Sequence, residues 1–366
     1  MSKNMETIFF TKKDLEKAVS ENLFWKGDFN TTPFSKNKAH WILENERIAD
    51  DDYCTLVAIE NKTLIALVNL IPDLFNVFDD KVEKMYWMSL WWVNESYKQT
   101  IIGPYLFNEA QKLTQNKIIG KAYAETANDF YEKQPFTPII SRERYTLFFC
   151  LDAGTAKNKF PFTRFLSPFL SVLETFSLSV ISRLNYNKIK KTTEGLKYEY
   201  LNYIDDESWG FIEPFCKKDL VFKTKNYINW HLNPRQYVVS PVQSKARVNS
   251  QYSGDRHKIN LTTIKIIEKG NMIGFISFLM IGREAHLKYF ISSKKNEDVV
   301  VNVLMEHLIT EKINYIFTDD SCVVKNITKR FTTLYVFSLL KKGIAHKDIS
   351  DKLVNHQLKE RDGHFM

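Results

Sequence analysis

The stretch Trp91-Trp92-Val93-Asn94-Glu95-Ser96-Tyr97-Lys98-Gln99-Thr100-Ile101-Ile102-Gly103-Pro104-Tyr105-Leu106 decides how the chain is read. Its aromatic, apolar start reads as the end of a strand. A short polar run follows. Then Tyr105, Leu106, Ala110 and Leu113 recur at helical spacing. A strand entering a helix through such a loop leaves backbone N–H groups exposed at the helix N-terminus, where the helix dipole adds positive potential. That is a competent cradle for a pyrophosphate. Gly103 permits close backbone approach. Pro104 suits the first helical turn, where its missing N–H would have no intrahelical partner.

Upstream of this loop, Asp14–Glu21 reads as a helix. Tyr53–Glu60 and Thr63–Leu70 read as strands joined by the two-residue turn Asn61-Lys62, with Pro72-Asp73 ending the second. Lys84–Val93 is a third strand. Downstream, the pattern gives a helix over Gly103–Leu113, a strand over Lys117–Tyr123, a short helix over Glu125–Lys133 and a closing strand over Tyr145–Cys150. Leu261–Ile291 reads as three more antiparallel strands, turning at Lys269-Gly270-Asn271 and Gly282-Arg283-Glu284. Val299–Glu311 is then a helix and Tyr315–Phe317 a strand. The order strand, strand, strand, helix, strand therefore occurs twice.

The decisive stretch resembles the acyl-CoA-binding motif of the GNAT acyltransferases: a strand ending in Val, then Arg/Gln-x-x-Gly-x-Gly/Ala opening a helix. Lys98 falls on the Arg/Gln position and Gly103 on the final Gly, while Ile101 replaces the first Gly. The resemblance makes Val93, Lys98, Gln99, Thr100, Ile101, Ile102, Gly103 and Pro104 the expected cofactor-binding residues. About 30 residues on, Ala127-Asn128-Asp129-Phe130-Tyr131-Glu132-Lys133-Gln134-Pro135-Phe136 is similar to the family's A-x-x-L-Y-E-K-L-G-F, with Gln134-Pro135 replacing Leu-Gly. The family's upstream Asn falls on Ala124. The family's Tyr protonates the departing CoA thiolate, which makes Tyr131 the implied general acid. Pro33-Phe34-Ser35, Leu70-Ile71-Pro72-Asp73 and Trp87–Val93 resemble a branch found in bacterial surface-polysaccharide regions.

The resemblance implies an α/β (α+β) fold of two tandem GNAT-like domains, each a mixed, mostly antiparallel sheet flanked by helices. The expected boundaries are 1–152 for an acyl-CoA-binding domain, 153–194 for a connector and 195–366 for a second, degenerate domain. In the second domain Ser292–Asp298 lacks Gly and puts Glu297 and Asp298 where a phosphate would lie. The implied activity is an N- or O-acyltransferase using acetyl-CoA or another acyl-CoA, on an acceptor such as a sugar nucleotide or other surface-glycan precursor. A silent scaffold on the same fold and a Fem-type aminoacyl transferase are the competing readings. In the family reaction, the end of the Trp-rich strand supplies a backbone N–H to the thioester carbonyl. Glu83 and Asp73 are the carboxylates nearest that strand's start.

Composition limits the alternatives. Lys and Arg total 51 and Asp and Glu 43, so the net charge is +8, which suits an anionic cofactor better than nucleic acid. The four Cys make no CxxC pair, and no His/Asp/Glu spacing suggests a metal. There is no GxSxG, Walker or Rossmann signature. Phe160–Leu184 carries Arg164, Pro168, Glu174 and Arg183. It reads as an amphipathic helix packed between domains, ahead of one lying on a membrane, with no transmembrane span. The absence of a leader-like N-terminus points to the cytoplasm.

Overall fold

The computed structural model describes residues 5–78, 81–123, 127–237, 241–243, 259–359 and 361–363. Ala124 and the first residues of the expected 125–133 helix lie outside them. The chain forms two compact units, one of residues 1–141, 216–259 and 341–366, the other of 142–215 and 260–340.

In the first unit the strands lie in the order Met5–Thr11, Tyr53–Glu60, Thr63–Val77, Lys81–Val93, Ile118–Gly120 and the end of Tyr335–His346. All neighbours are antiparallel except Lys81–Val93 with Ile118–Gly120, which is parallel. The turn expected at Asn61-Lys62 forms with φ of 48° and 60°, the two left-handed residues that a tight hairpin of this hand needs. Residues 64–73 are buried throughout, as an apolar run flanked on both faces requires.

The second strand does not end at Pro72-Asp73; it runs on to Val77, with Pro72 opposite Tyr86. Its other neighbour, Tyr53–Glu60, stops pairing at Asn69, so Pro72 lies beyond that ladder and no hydrogen bond there is lost to its missing N–H. The helix Ile102–Leu113 lays Ile102, Leu106, Phe107 and Ala110 on this sheet, in one core with Leu56, Ile65 and Val68. The helix Lys36–Leu43 meets the helix Lys225–His231 through Trp41 and Trp230. Their rings stack at 4.3 Å, and each indole N–H donates to the other residue's carbonyl, at 2.9 and 2.7 Å.

The second unit repeats the pattern. Ile259–Glu268, Asn271–Ile281 and Glu284–Ser292 are consecutive neighbours, and Tyr315–Thr318 pairs parallel to the third after the helix Glu297–Thr310. Lys197–Tyr200 and the end of Phe136–Phe148 flank them.

The units differ from the boundaries 1–152, 153–194 and 195–366. Tyr145–Phe148 pairs with Tyr315–Thr318 in the second unit, while Ile344-Ala345 pairs with Ile119-Gly120 in the first. Each unit thus takes its last strand from the chain's passage out of the other unit's sequence. A strand edge is satisfied by whichever extended segment reaches it, and period-two patterning does not say which.

The connector is also not independent. Its helix Ser167–Ile189 buries Leu178, Ile181 and Ile189 in the second unit's core. It is not the amphipathic helix expected, because its other face is apolar and exposed. By length and composition alone, the segment Pro161–Ile189 is long and apolar enough to cross a membrane.

Candidate functional site

The loop after the Trp-rich strand is braced by its own backbone. Asn94 N–H donates to Ile65 O at 2.7 Å, and the Asn94 side chain accepts from Ser96 N–H at 3.1 Å. One 3-10 turn, Glu95–Tyr97, follows, and Thr100 N–H closes on Tyr97 O at 3.0 Å. The Tyr97 hydroxyl donates to Glu60 and so ties the loop to the first hairpin. The helix then starts at Ile102 with no side-chain cap. Pro104 has no N–H, Tyr105 N–H is taken by Ile101 O at 2.8 Å, and Gly103 N–H has no partner among the described residues. An uncapped N-terminus with a spare amide is what an anion can complete.

No residue from Asn94 to Pro104 has positive φ, and Ile101 sits at φ −75°, ψ −6°. The β-branched residue in place of the family's first Gly therefore imposes no strain. Its side chain is 74% exposed and points away from the core. Lys98, Gln99, Thr100 and Pro104 are exposed as well, while Ile102 and Gly103 are buried. Lys98 Nζ lies 2.6 Å from Glu95 Oε2. Both groups are well exposed, so the pair is weak and an incoming phosphate can displace the carboxylate.

Gly103 is required by packing. A Cβ there would stand 2.8 Å from Val93 Cγ2 and 3.7 Å from Trp91 Nε1, so the helix lies directly on the strand. Gly103→Ala is expected to cost about 1–3 kcal/mol through overpacking. Val93→Ala in the same chain should recover much of that cost in a denaturant titration, which identifies the clash as the cause.

The strand beneath the loop opens at the level needed. Its parallel pairing with Ile118–Gly120 covers Tyr86 and Trp87 only, with Tyr86 N–H donating to Lys117 O at 2.8 Å. On the other side the register slips between Asn69 and Leu70, leaving Ser89 as an extra residue between Met88 and Leu90. A bulge at a splayed strand end re-aims backbone amides.

Tyr131 joins this assembly through aromatic contacts. It is 6% exposed, and its ring lies 6.3 Å from that of Trp91 and 5.8 Å from that of Phe107. Burial, reinforced by nearby Tyr123, pushes its phenol well above the ordinary tyrosine range. The group is therefore protonated at neutral pH and suited to give a proton rather than take one. Its hydroxyl makes no hydrogen bond to the described residues. The expected helix around it is a single turn, Asn128–Tyr131, and the strand Phe136–Phe148 begins five residues later.

Neither carboxylate near the strand is available as a base. Asp73 is fully buried and accepts from Arg47, from Leu74 N–H at 2.8 Å, and from Trp87 Nε1 and the Tyr227 hydroxyl at 3.1 Å each. Glu83 is engaged by Lys352 at 2.9 Å on both oxygens. The short strings of the surface-polysaccharide comparison likewise have local structural roles. Ser35 caps the helix Lys36–Leu43 through Lys38 N–H at 3.1 Å, and Asp73 is the hub just described. His231 is fully buried and stacks on Tyr227 at 5.7 Å.

Sequence reasoning did not single out a cleft of about 380 Å³ in the second unit, lined by Tyr198, Tyr200, Glu306 and His307. His307 Nδ1 lies 2.8 Å from Val303 O, which fixes the proton there and leaves Nε2 to accept from the Tyr200 hydroxyl at 2.9 Å. Tyr198 donates to Glu306 at 2.7 Å. The helix of this unit starts with Glu297 and Asp298 and no side-chain cap, the arrangement expected to repel a phosphate. Among the described residues no group of three or more His, Cys, Asp or Glu could hold a metal.

The chain superimposes on N-myristoyltransferase from Saccharomyces cerevisiae with bound myristoyl-CoA at a TM-score of 0.50 and 10% identity, covering 94% of this chain and 79% of that one. The fold is GNAT-like. Looser overlaps are found with GCN5-related N-acetyltransferases from Kribbella flavida (TM-score 0.49, 7% identity, 95% of this chain and 72% of that one) and Anabaena variabilis (0.48, 9%, 93% and 72%). No protein-family model matches the sequence, and no curated protein matches it. The GNAT-like fold comprises two tandem domains, each a mixed, mostly antiparallel sheet flanked by helices, and the loop of the first lies where the strand Lys81–Val93 turns into the helix Ile102–Leu113.

Proposed function

We propose that the protein transfers an acyl group from acyl-CoA to an amine or hydroxyl, with the first unit as the catalytic one. The observation that carries this reading is the uncapped helix start at Ile102–Pro104, set over a splayed strand and linked through Trp91 to the Tyr131 phenol. The Gly103 N–H and the helix N-terminus around it would hold the pyrophosphate, with Lys98 as the cation beside it. The thioester carbonyl would lie against the open edge of Met88–Val93. The acceptor attacks that carbon, the C–S bond breaks, and the sulfur takes the proton from Tyr131. Since Asp73 and Glu83 are both occupied, a neutral amine, which sheds its proton to water after attack, suits this site better than a hydroxyl. An amino sugar on a nucleotide carrier is the acceptor class favoured here, and the cytoplasm, where such precursors and acyl-CoA meet, the place of action.

Isothermal titration with acetyl-CoA tests the reading. Saturable binding is expected, and absence of heat at millimolar ligand would replace the enzyme by a scaffold. Lys98→Glu should weaken binding by about tenfold at low salt, because a cation beside the phosphates becomes an anion. The deficit should shrink at high salt.

A further inference from the structure

The segment Ser167–Ile189 is a 23-residue helix, about 35 Å long at 1.5 Å per residue. Leu170, Leu178, Ile181 and Asn185 face the second unit and are buried. At 100° per residue, Phe169, Val172, Phe176 and Val180 fall on the opposite side, and Phe165 lies in the 3-10 turn just before the helix. That side is open: Phe165, Phe169 and Phe176 are 76%, 59% and 67% exposed. Phe162, at 71% exposed, extends the stripe at its N-terminal end. Phe337, whose ring lies 5.5 Å from the Lys159 ammonium, is exposed too. A row of bare phenylalanines of this length is costly in water and marks a surface that meets something apolar.

The charges around the stripe identify the occupant. Between residues 153 and 191 there are seven basic side chains (Lys157, Lys159, Arg164, Arg183, Lys188, Lys190 and Lys191) and one acidic one, Glu174. Glu174 is already engaged by Ala153 N–H at 2.9 Å and Arg283 at 3.2 Å. A second copy of the same face would bring like charges together around a two-fold axis. Anionic lipid headgroups complement the cations while the acyl boundary takes the phenyl rings. The helix is also pinned along its length. Asn185 exchanges two hydrogen bonds with the Thr332 backbone at 2.9 and 2.8 Å, and Lys188 reaches Arg330 O at 3.1 Å. It is therefore held flat on its unit rather than free to thread a bilayer.

We propose that this face is a peripheral membrane-binding surface that lies on an anionic bilayer, with the Phe162–Val180 stripe in the interface and the flanking lysines and arginines on the headgroups. The proposal is independent of the acyl-transfer reading. The test is flotation of the whole protein with vesicles of phosphatidylcholine alone and of phosphatidylcholine with one quarter phosphatidylglycerol. The wild type should float with the anionic vesicles and far less with the neutral ones. Adding 0.5 M salt should weaken it. The variant Phe165→Ser/Phe169→Ser/Phe176→Ser should lose at least about tenfold in partitioning with little change in its thermal melt, because those side chains are mostly exposed. The proposal is overturned if the wild type ignores anionic vesicles or if the triple variant floats equally well. It is overturned also if light scattering finds a dimer that the triple variant dissolves, or if the membrane-bound protein resists alkaline extraction as a spanning helix would.

Discussion

Replacing Tyr131 by Phe is expected to lower turnover by about 10²–10⁴-fold, the usual worth of a positioned general acid, while the Kd for CoA stays nearly constant. The reasoning rests on what the hydroxyl touches. The ring packs among Trp91, Phe107, Phe130 and Phe136, and Phe keeps all of those contacts. The hydroxyl bonds none of the described residues, so its loss leaves no partner stranded. Stability should therefore move by well under about 1 kcal/mol. What disappears is a buried phenol beside the loop whose proton is not shared with any described residue. Single-turnover kinetics with acyl-CoA separates the outcomes. A fall in the chemical step at constant Kd supports the assignment, whereas equal losses in Kd and rate would make Tyr131 a packing residue. Thioesters with better leaving groups should suffer less, since a more acidic thiol needs less help from a proton donor.

Much of this assembly could be read from the chain, for identifiable reasons. Tyr53–Glu60 was placed with both ends correct because a two-residue turn fixes the register of a hairpin. The loop between Val93 and Ile102 was legible because a strand, a short polar run and a Gly-Pro helix start leave few alternatives. What the chain did not tell was the loop's hand: a glycine at the Ile101 position allows a left-handed turn, but no residue of the loop has positive φ, so a β-branched residue fits. The exchange of strands between the units was not legible. Tyr145–Phe148 and Ile344-Ala345 alternate like any edge strand, and their partners lie about 170 and 225 residues away. The exposed stripe on Ser167–Ile189 was hidden for a related reason. Two apolar faces on opposite sides cancel the periodic signal that an amphipathic helix gives.

Lys223→Met is expected to destabilise the first unit by about 3–5 kcal/mol, the cost of leaving a buried charge uncompensated. Lys223 lies 2.9 Å from Asp219 and also bonds Asp362, and all three side chains are sealed from solvent. Arg361 completes the group by gripping Asp219 with Nε at 2.6 Å and Nη2 at 2.8 Å. Two cations thus balance two carboxylates, and methionine would leave one carboxylate without its counter-charge. The cluster fastens Gln357 and Arg361–Gly363 onto the strand system: Leu220 N–H donates to Gln357 O at 2.9 Å, and Gly363 lies so close to Trp87 that a Cβ would meet its ring at 2.5 Å. Trp87 is on the strand that runs into the Asn94–Ile101 loop, so on the proposed reading loosening this tail should also lower acyl-CoA affinity. At roughly 2–4 °C per kcal/mol, the melt should fall by about 10 °C. Acid provides a second readout. Burial alone would raise the Asp219 carboxyl, but the Lys223 ammonium and the Arg361 guanidinium together hold it below the ordinary carboxylate range. A lowered folded-state pKa contributes stability above the unfolded value of about 3.9 and loses it as pH falls through the folded value. Asp219→Asn should therefore flatten the acid limb of the stability curve below about pH 4 while retaining one hydrogen bond to Arg361. An acid limb unchanged in that variant would place the titration elsewhere and remove the cluster from the account of how the loop strand is held.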